Sequence, residues 1–195
     1  MNKLFQYQRL ILGYHGCDQS VADHVLLKKK SLESSENDYD WLGKGIYFWE
    51  HGPERALEWA EQQKQLSKIK SPAVVGAVIH LGTCFDLLDR QSTKALRLAF
   101  PRFCEEMANQ KQNIPENAPA HGADTDMLLR KRDCAVLNWL LDLKEHSPGL
   151  DACDSVRGLF QEDEPVYKGS AIRLKSHIQI AIRNPACILG YFSPS

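Results

Sequence analysis

Strand-like runs stand at both ends of this chain and helical periodicities gather between them. That order restricts the chain to an α+β arrangement rather than an alternating βαβ one. Near the N-terminal end, Leu10–His15 is a short apolar run closing on Gly16 and reads as a buried strand. Val21, Val25 and Leu26 then keep helical spacing behind a Ser20 cap, which predicts a short helix to Lys30. The polar, acidic stretch 31–40 reads as a loop, and Gly45–Trp49 as a second strand opened by a glycine-rich turn. Pro53 stands at the first position of a helix whose apolar face is Ala56, Leu57, Trp59 and Ala60. Ala73–Ile79 is apolar throughout and therefore a central strand.

The middle of the chain is helical. Thr93–Asn109 has helical character, with Pro101 expected to kink or split it. Gln110–Thr125 reads as an irregular loop with two prolines and the His121-Gly122 pair, and Met127–Glu145 as a long helix. The C-terminal third returns to strands at Val156–Phe160, Ser170–Leu174, His177–Ile182 and Ile188–Phe192. No G-x-G-x-x-G follows the first strand and no Walker A motif occurs, which excludes a Rossmann or P-loop nucleotide site.

A length of 195 residues predicts one domain, or at most one domain with a small insert, and 43% hydrophobic and 25% charged residues match globular proteins. The 24 Lys and Arg balance 25 Asp and Glu, so no global basic field advertises nucleic acid or membrane. Local basic clusters at Lys28–Lys30 and Arg130–Arg132, with Arg157, Lys168, Arg173, Lys175 and Arg183, are candidates for steering phosphate or are plain solvated faces. No run reaches the ~20 apolar residues of a membrane helix, and the first residues lack a signal-peptide core. The six cysteines are scattered, without C-x-x-C or metal spacing, and read as free thiols. A cytoplasmic protein without a metal or a membrane partner is expected.

Three segments carry possible chemistry. The first is Tyr14-His15-Gly16, at the end of the first strand. The second is Gly43-Lys44-Gly45-Ile46-Tyr47-Phe48, whose glycines let backbone approach a ligand and whose aromatic pair lies on opposite strand faces. The third is Gln179–Ile188, an alternating strand that opens on one polar side chain and runs into Asn184-Pro185-Ala186. Taken singly, each is also what a turn or a core strand looks like.

In this order the three segments resemble the NAD-binding core of ADP-ribosyltransferases. The likeness is to the poly(ADP-ribose) polymerase, or diphtheria-toxin-like, branch, and within it to small bacterial toxins of toxin–antitoxin or phage-defence modules. It covers roughly residues 10–60 and 165–192. It implies an α+β fold with a split antiparallel β core, flanking helices and a helical insert over about 85–155. It also implies NAD as co-substrate, held by Tyr14, His15, Gly16, Gly45 and Tyr47, with His15, Tyr47 and Gln179 as the catalytic set. Further implied partners are a macromolecular acceptor, protein or nucleic acid, and a restraining antitoxin.

One departure from the family pattern stands out: Gln179 occupies the position that usually carries Glu. Gln keeps a hydrogen bond but lacks the charge that steadies an oxocarbenium-like sugar as nicotinamide leaves. Such a contact is worth ~3–4 kcal/mol in a dry site. Polymer synthesis is therefore not expected, while transfer of a single ADP-ribose is. Glu162 and Glu164, in the segment where the family places its target loop, are candidates to supply the charge; Glu50 and His177 are further candidates. The alternative is a non-catalytic NAD or ADP-ribose-binding module.

Overall fold

The uninterrupted apolar run Ala73–Ile79 lies in the longest strand of the fold and has neighbours on both edges, as a run buried on both faces requires. The computed structural model describes residues 6–119 and 127–194. Along the chain it places β1 (Gln6–Asp18), α1 (Gln19–Lys28), β2 (Ile46–Glu50), α2 (Pro53–Gln65), β3 (Pro72–Asp86), α3 (Arg90–Asn109), α4 (Lys131–His146), β4 (Ser155–Pro165), β5 (Arg173–Ile182) and β6 (Ile188–Phe192).

The strands form a mixed sheet in the order β1-β2-β5-β4-β3-β6, and β1 also pairs with β3. The pairings β1–β2–β5–β4–β3–β1 therefore close a ring of five strands, with β6 added on β3. Most pairs are antiparallel. The exception is β3–β4, parallel over Cys84–Asp86 against Ser155–Arg157, so the expected all-antiparallel core is corrected to a mixed sheet. A parallel pair cannot be joined by a tight turn. Here α3 and α4 make the connection, which explains why the helical insert sits between β3 and β4.

Two apolar clusters follow from strand alternation. Ile46, Phe48, Ile180 and Ile182 point to one side of β2 and β5, where they meet Val75 and Ile79 of β3 and Val25 of α1. Ala181, with Tyr47 packed nearby, points to the other side and meets Leu137 and Leu141 of α4. Phe48 is fully buried, as the register of the Tyr47-Phe48 pair predicts.

Several sequence expectations are corrected. β1 is not buried on both faces: Ile11 is buried, but Leu10 and Leu12 are exposed. The cap of α1 is the Asp18 carboxylate, which accepts from Ser20 N, and Ser20 lies inside the helix. α3 runs through Pro101 without a break; the ring is exposed, and the buried residues Ser92 and Phe103 hold the helix on either side of it. α4 starts at Lys131 rather than Met127, because Leu129 pairs with Ala118 in an isolated bridge. The stretches Ser170–Leu174 and His177–Ile182 are not two strands; Arg173–Ile182 is a single strand, and Gln179 sits inside it rather than at its start. On α2 only Ala56 and Ala60 are buried, while Leu57 is exposed. His121-Gly122 lies outside the described residues. All six cysteines are free thiols.

Candidate functional site

The sheet order brings the three segments together: β1, β2 and β5 are consecutive neighbours. Tyr14 lies across from Trp49, and Trp49 across from Gln179. His15 is joined to β2 by a hydrogen bond from Nδ1 to the Tyr47 carbonyl, 2.8 Å. A carbonyl only accepts, so Nδ1 carries the proton. Burial holds the imidazole below its usual pKa and hence neutral, which leaves Nε2 as an acceptor.

His15 lines a cleft of about 630 Å³ between α1, the segment 30–33 and the end of α2, with Gly16, Trp59, Lys30 and Lys68 among its walls. Asp18 fixes the cleft's frame. Besides capping α1 it accepts from Lys70 N at 2.7 Å and Ser71 N at 3.0 Å, tying the end of β1 to the approach to β3. Those backbone donors hold its carboxyl well below the usual carboxylate range.

Tyr47 and Gln179 lie on the opposite face of the sheet from the His15 ring. His15 packs edge-on against Phe48 at 5.9 Å, whereas Tyr47 points to the α4 side, the side shared by Trp49 and Gln179. The Tyr47 hydroxyl donates to Gly43 O at 2.8 Å and accepts from Leu42 N at 3.0 Å. Burial pushes that hydroxyl far above its usual pKa. Tyr47 therefore pins the turn that precedes its own strand. Gly43 needs its glycine there: its φ is +77°, and an added Cβ would sit 2.5 Å from Asn138 Oδ1, the atom that accepts from Lys44 N. Gly45 backs onto the Ile182 carbonyl.

Gly16 also differs from its expected role. The direction its missing Cβ would take is filled by α2, with Ala56 O at 2.1 Å and Trp59 at 3.2 Å. The bare backbone thus admits a helix on that side. Tyr14 packs edge-on against Phe192 of β6 at 6.0 Å and is not among the cleft-lining residues.

Around Gln179 the structure gathers residues that motif reading passed over. Trp41 Nε1 donates to Gln179 Oε1 at 2.6 Å. Trp41 in turn packs against Phe160 at 5.2 Å, and the Arg130 guanidinium lies over both rings. Trp49 touches His177 and Trp59, and Arg55 lies over Trp49. Three of the chain's four tryptophans thus surround this face, and their only signal in the sequence was their proximity to the glycine motif and to α2.

Two of the three candidate carboxylates are committed elsewhere. Glu162 is ion-paired with Arg55, Glu164 is exposed on the hairpin, and Glu50 is bound by Arg157, Nε to Oε2 2.6 Å. Among the described residues no group of three or more His, Cys, Asp or Glu could hold a metal ion. Likewise, no described helix is long and apolar enough to cross a membrane.

No family model matches the chain. The chain is similar, at 26% identity over 206 residues, to an uncharacterized protein of Methanocaldococcus jannaschii. That match covers 95% of this chain and 87% of the archaeal protein, so the likeness extends over the whole domain, insert included.

His177 sits two residues from Gln179 on the same strand face, with both ring nitrogens buried and unpartnered. Desolvation, followed by the nearby charges of Arg55 and Lys175, pushes its pKa down to about 4. The unfolded chain takes up this proton near pH 6.5, the folded one only near 4. Between these values the unfolded state binds more protons, so stability falls as the pH is lowered through that window. Urea unfolding from pH 7 to 4 should show this loss, and His177→Phe should remove roughly 1–2 kcal/mol of it once solvent at the ring's open edge is allowed for. Equal slopes in parent and variant would assign the loss to other groups.

Proposed function

We propose that the chain binds NAD in the cleft beside His15 and transfers one ADP-ribose to a macromolecular acceptor. The observation that carries this reading is the adjacency of β1, β2 and β5, which puts three segments far apart in sequence on neighbouring strands, with His15 on the cleft side and Tyr47 and Gln179 on the other face. The cleft supports it. At about 630 Å³ it falls within the range of small-molecule sites, and it offers an aromatic wall in Trp59, an acceptor in His15 Nε2 and two cations, Lys30 and Lys68, for phosphate oxygens. In the reaction the bond between nicotinamide and the ribose C1′ breaks with its electron pair leaving on nicotinamide. A nucleophile of the acceptor then bonds to C1′ and gives up its proton. His15 orients a ribose hydroxyl through Nε2, and the sheet beneath it keeps the ring from turning.

A second reading, a module that binds NAD or ADP-ribose without cleaving it, is favoured by one feature: of the carboxylates expected to supply the missing charge, Glu162 and Glu50 are already paired with arginines. One experiment separates the two readings. NAD at 1 mM should raise the melting temperature by mass action on the folded state, and nicotinamide release should accompany it. Stabilisation without nicotinamide selects the binding module, and no stabilisation of folded protein removes both.

A further inference from the structure

Two lysine runs far apart in the chain meet at the His15 cleft. Lys28, Lys29 and Lys30 stand where α1 ends, and Lys64, Lys68 and Lys70 lead from the end of α2 towards β3. Segments 28–33 and 64–70 hold six of the chain's 24 cations but only one of its 25 acids, so this patch is strongly positive on a nearly neutral protein. Lys30 and Lys68 line the cleft, one from each run. Lys28 Nζ donates at 3.2 Å to Nε2 of His24, another residue of the cleft wall. Lys70 N donates to the Asp18 carboxylate, which also caps α1, so one side chain sets both runs against the cleft. All six lysines are exposed, and among the described residues none makes an ion pair. Lys28 and Lys64 complement the C-terminal ends of α1 and α2, but Lys30, Lys68 and Lys70 lie beyond the caps, where no helix dipole accounts for them.

We propose that this rim binds a single-stranded nucleic acid, with its phosphates along the lysines and its bases at the mouth of the cleft. Charge decides against a dinucleotide as the only ligand. A diphosphate is met by Lys30 and Lys68 inside the cleft, which leaves Lys28, Lys29, Lys64 and Lys70 for a row of further phosphates. Trp59 in the cleft wall favours a nucleic acid over an acidic peptide, because bases stack on an indole and carboxylates do not. A base must leave a duplex to reach atoms inside a cleft, which selects the single strand. The concavity between the runs also fits a strand better than a flat lipid surface. That the strand is the acceptor of ADP-ribose rests on the proposed function; its binding to the rim does not.

Fluorescence anisotropy of a labelled oligouridylate of about 12 nucleotides, titrated with the full chain at about 50–200 mM salt, tests the assignment. The parent should bind, with log Kd rising against log salt at a slope of about 3 or more. A slope under about 1 overturns the proposal, whether or not any variant folds. Lys28→Gln, Lys29→Asn, Lys64→Gln and Lys70→Gln together should weaken binding at least about tenfold and lower the slope by about 2 or more. Removing as many exposed cations elsewhere, by Lys94→Gln, Arg97→Gln, Arg102→Gln and Lys111→Gln, should cost less than about twofold. Equal losses in the two variants would mean that overall charge alone attracts the strand, which overturns the proposal. So would stronger competition, at matched charge concentration, by polyglutamate, duplex RNA or phosphatidylserine vesicles than by unlabelled oligouridylate. Oligouridylate binding by a protein that NAD does not stabilise would uphold the rim and remove the NAD reading. NAD stabilisation without oligouridylate binding would do the reverse.

Discussion

Arg157→Met should be the most damaging single substitution at neutral pH, at a cost of about 3–5 kcal/mol. Arg157 donates to Glu50 Oε2 at 2.6 Å and to Asp86 Oδ2 at 2.9 Å, and its side chain is 13% exposed, with Glu50 at 11% and Asp86 at 4%. The three residues stand on β4, β2 and β3, so the ion triad ties together three of the five strands of the ring. Removing the cation leaves two carboxylates facing each other away from water. A drop in melting temperature of roughly 10 °C follows for a domain of this size. Replacing all three with apolar residues should recover most of the loss, because no buried charge is then left unpaired. A loss under about 1 kcal/mol for Arg157→Met would show that the triad is wetter than its burial indicates.

Gly16→Ala should cost about 3 kcal/mol or more. Its new methyl would fall 2.1 Å from the Ala56 carbonyl oxygen, a backbone atom in the interior of α2 that no side-chain rotation can move away. α2 would have to lift from β1, and Trp59, which walls the cleft, would lift with it. Loss of stability and loss of cleft binding should therefore appear together. Gly190→Ala is the control, since a Cβ there meets nothing within 4 Å, and it should be near neutral. A stable Gly16→Ala protein that fails only in binding would return Gly16 to the ligand-contact role that the motif suggests.

Gly16 shows where sequence reading succeeds and where it stops. The strand that carries it, and the need for a residue without a side chain there, were both legible. What the missing side chain makes room for was not, because a helix and a ligand demand the same bare backbone. Tyr47 and Phe48 behave similarly: alternation put Phe48 in the core, but nothing in the motif says that the Tyr47 hydroxyl is spent on its own turn. Strands with a strong apolar pattern were readable, Ala73–Ile79 above all. The parallel pairing of β3 with β4 was not, because it depends on contacts across about 70 residues. Trp41 was missed for the same reason: its partner Gln179 lies 138 residues away, and no local pattern announces such a bond.

The closed ring of strands has a consequence for how the protein is made on the ribosome. β2 and β4 both lie against β5, which emerges more than a hundred residues after β2. At usual synthesis speeds β2 waits roughly ten seconds or more for that neighbour, with its Phe48 side still lacking Ile180 and Ile182. The Gln179 face exists only once β5 slots between β2 and β4. A nascent chain therefore has the residues of the His15 cleft early but lacks the Gln179 face until β5 has been translated, and during that interval its unpaired β2 edge is the surface a chaperone would have to shield.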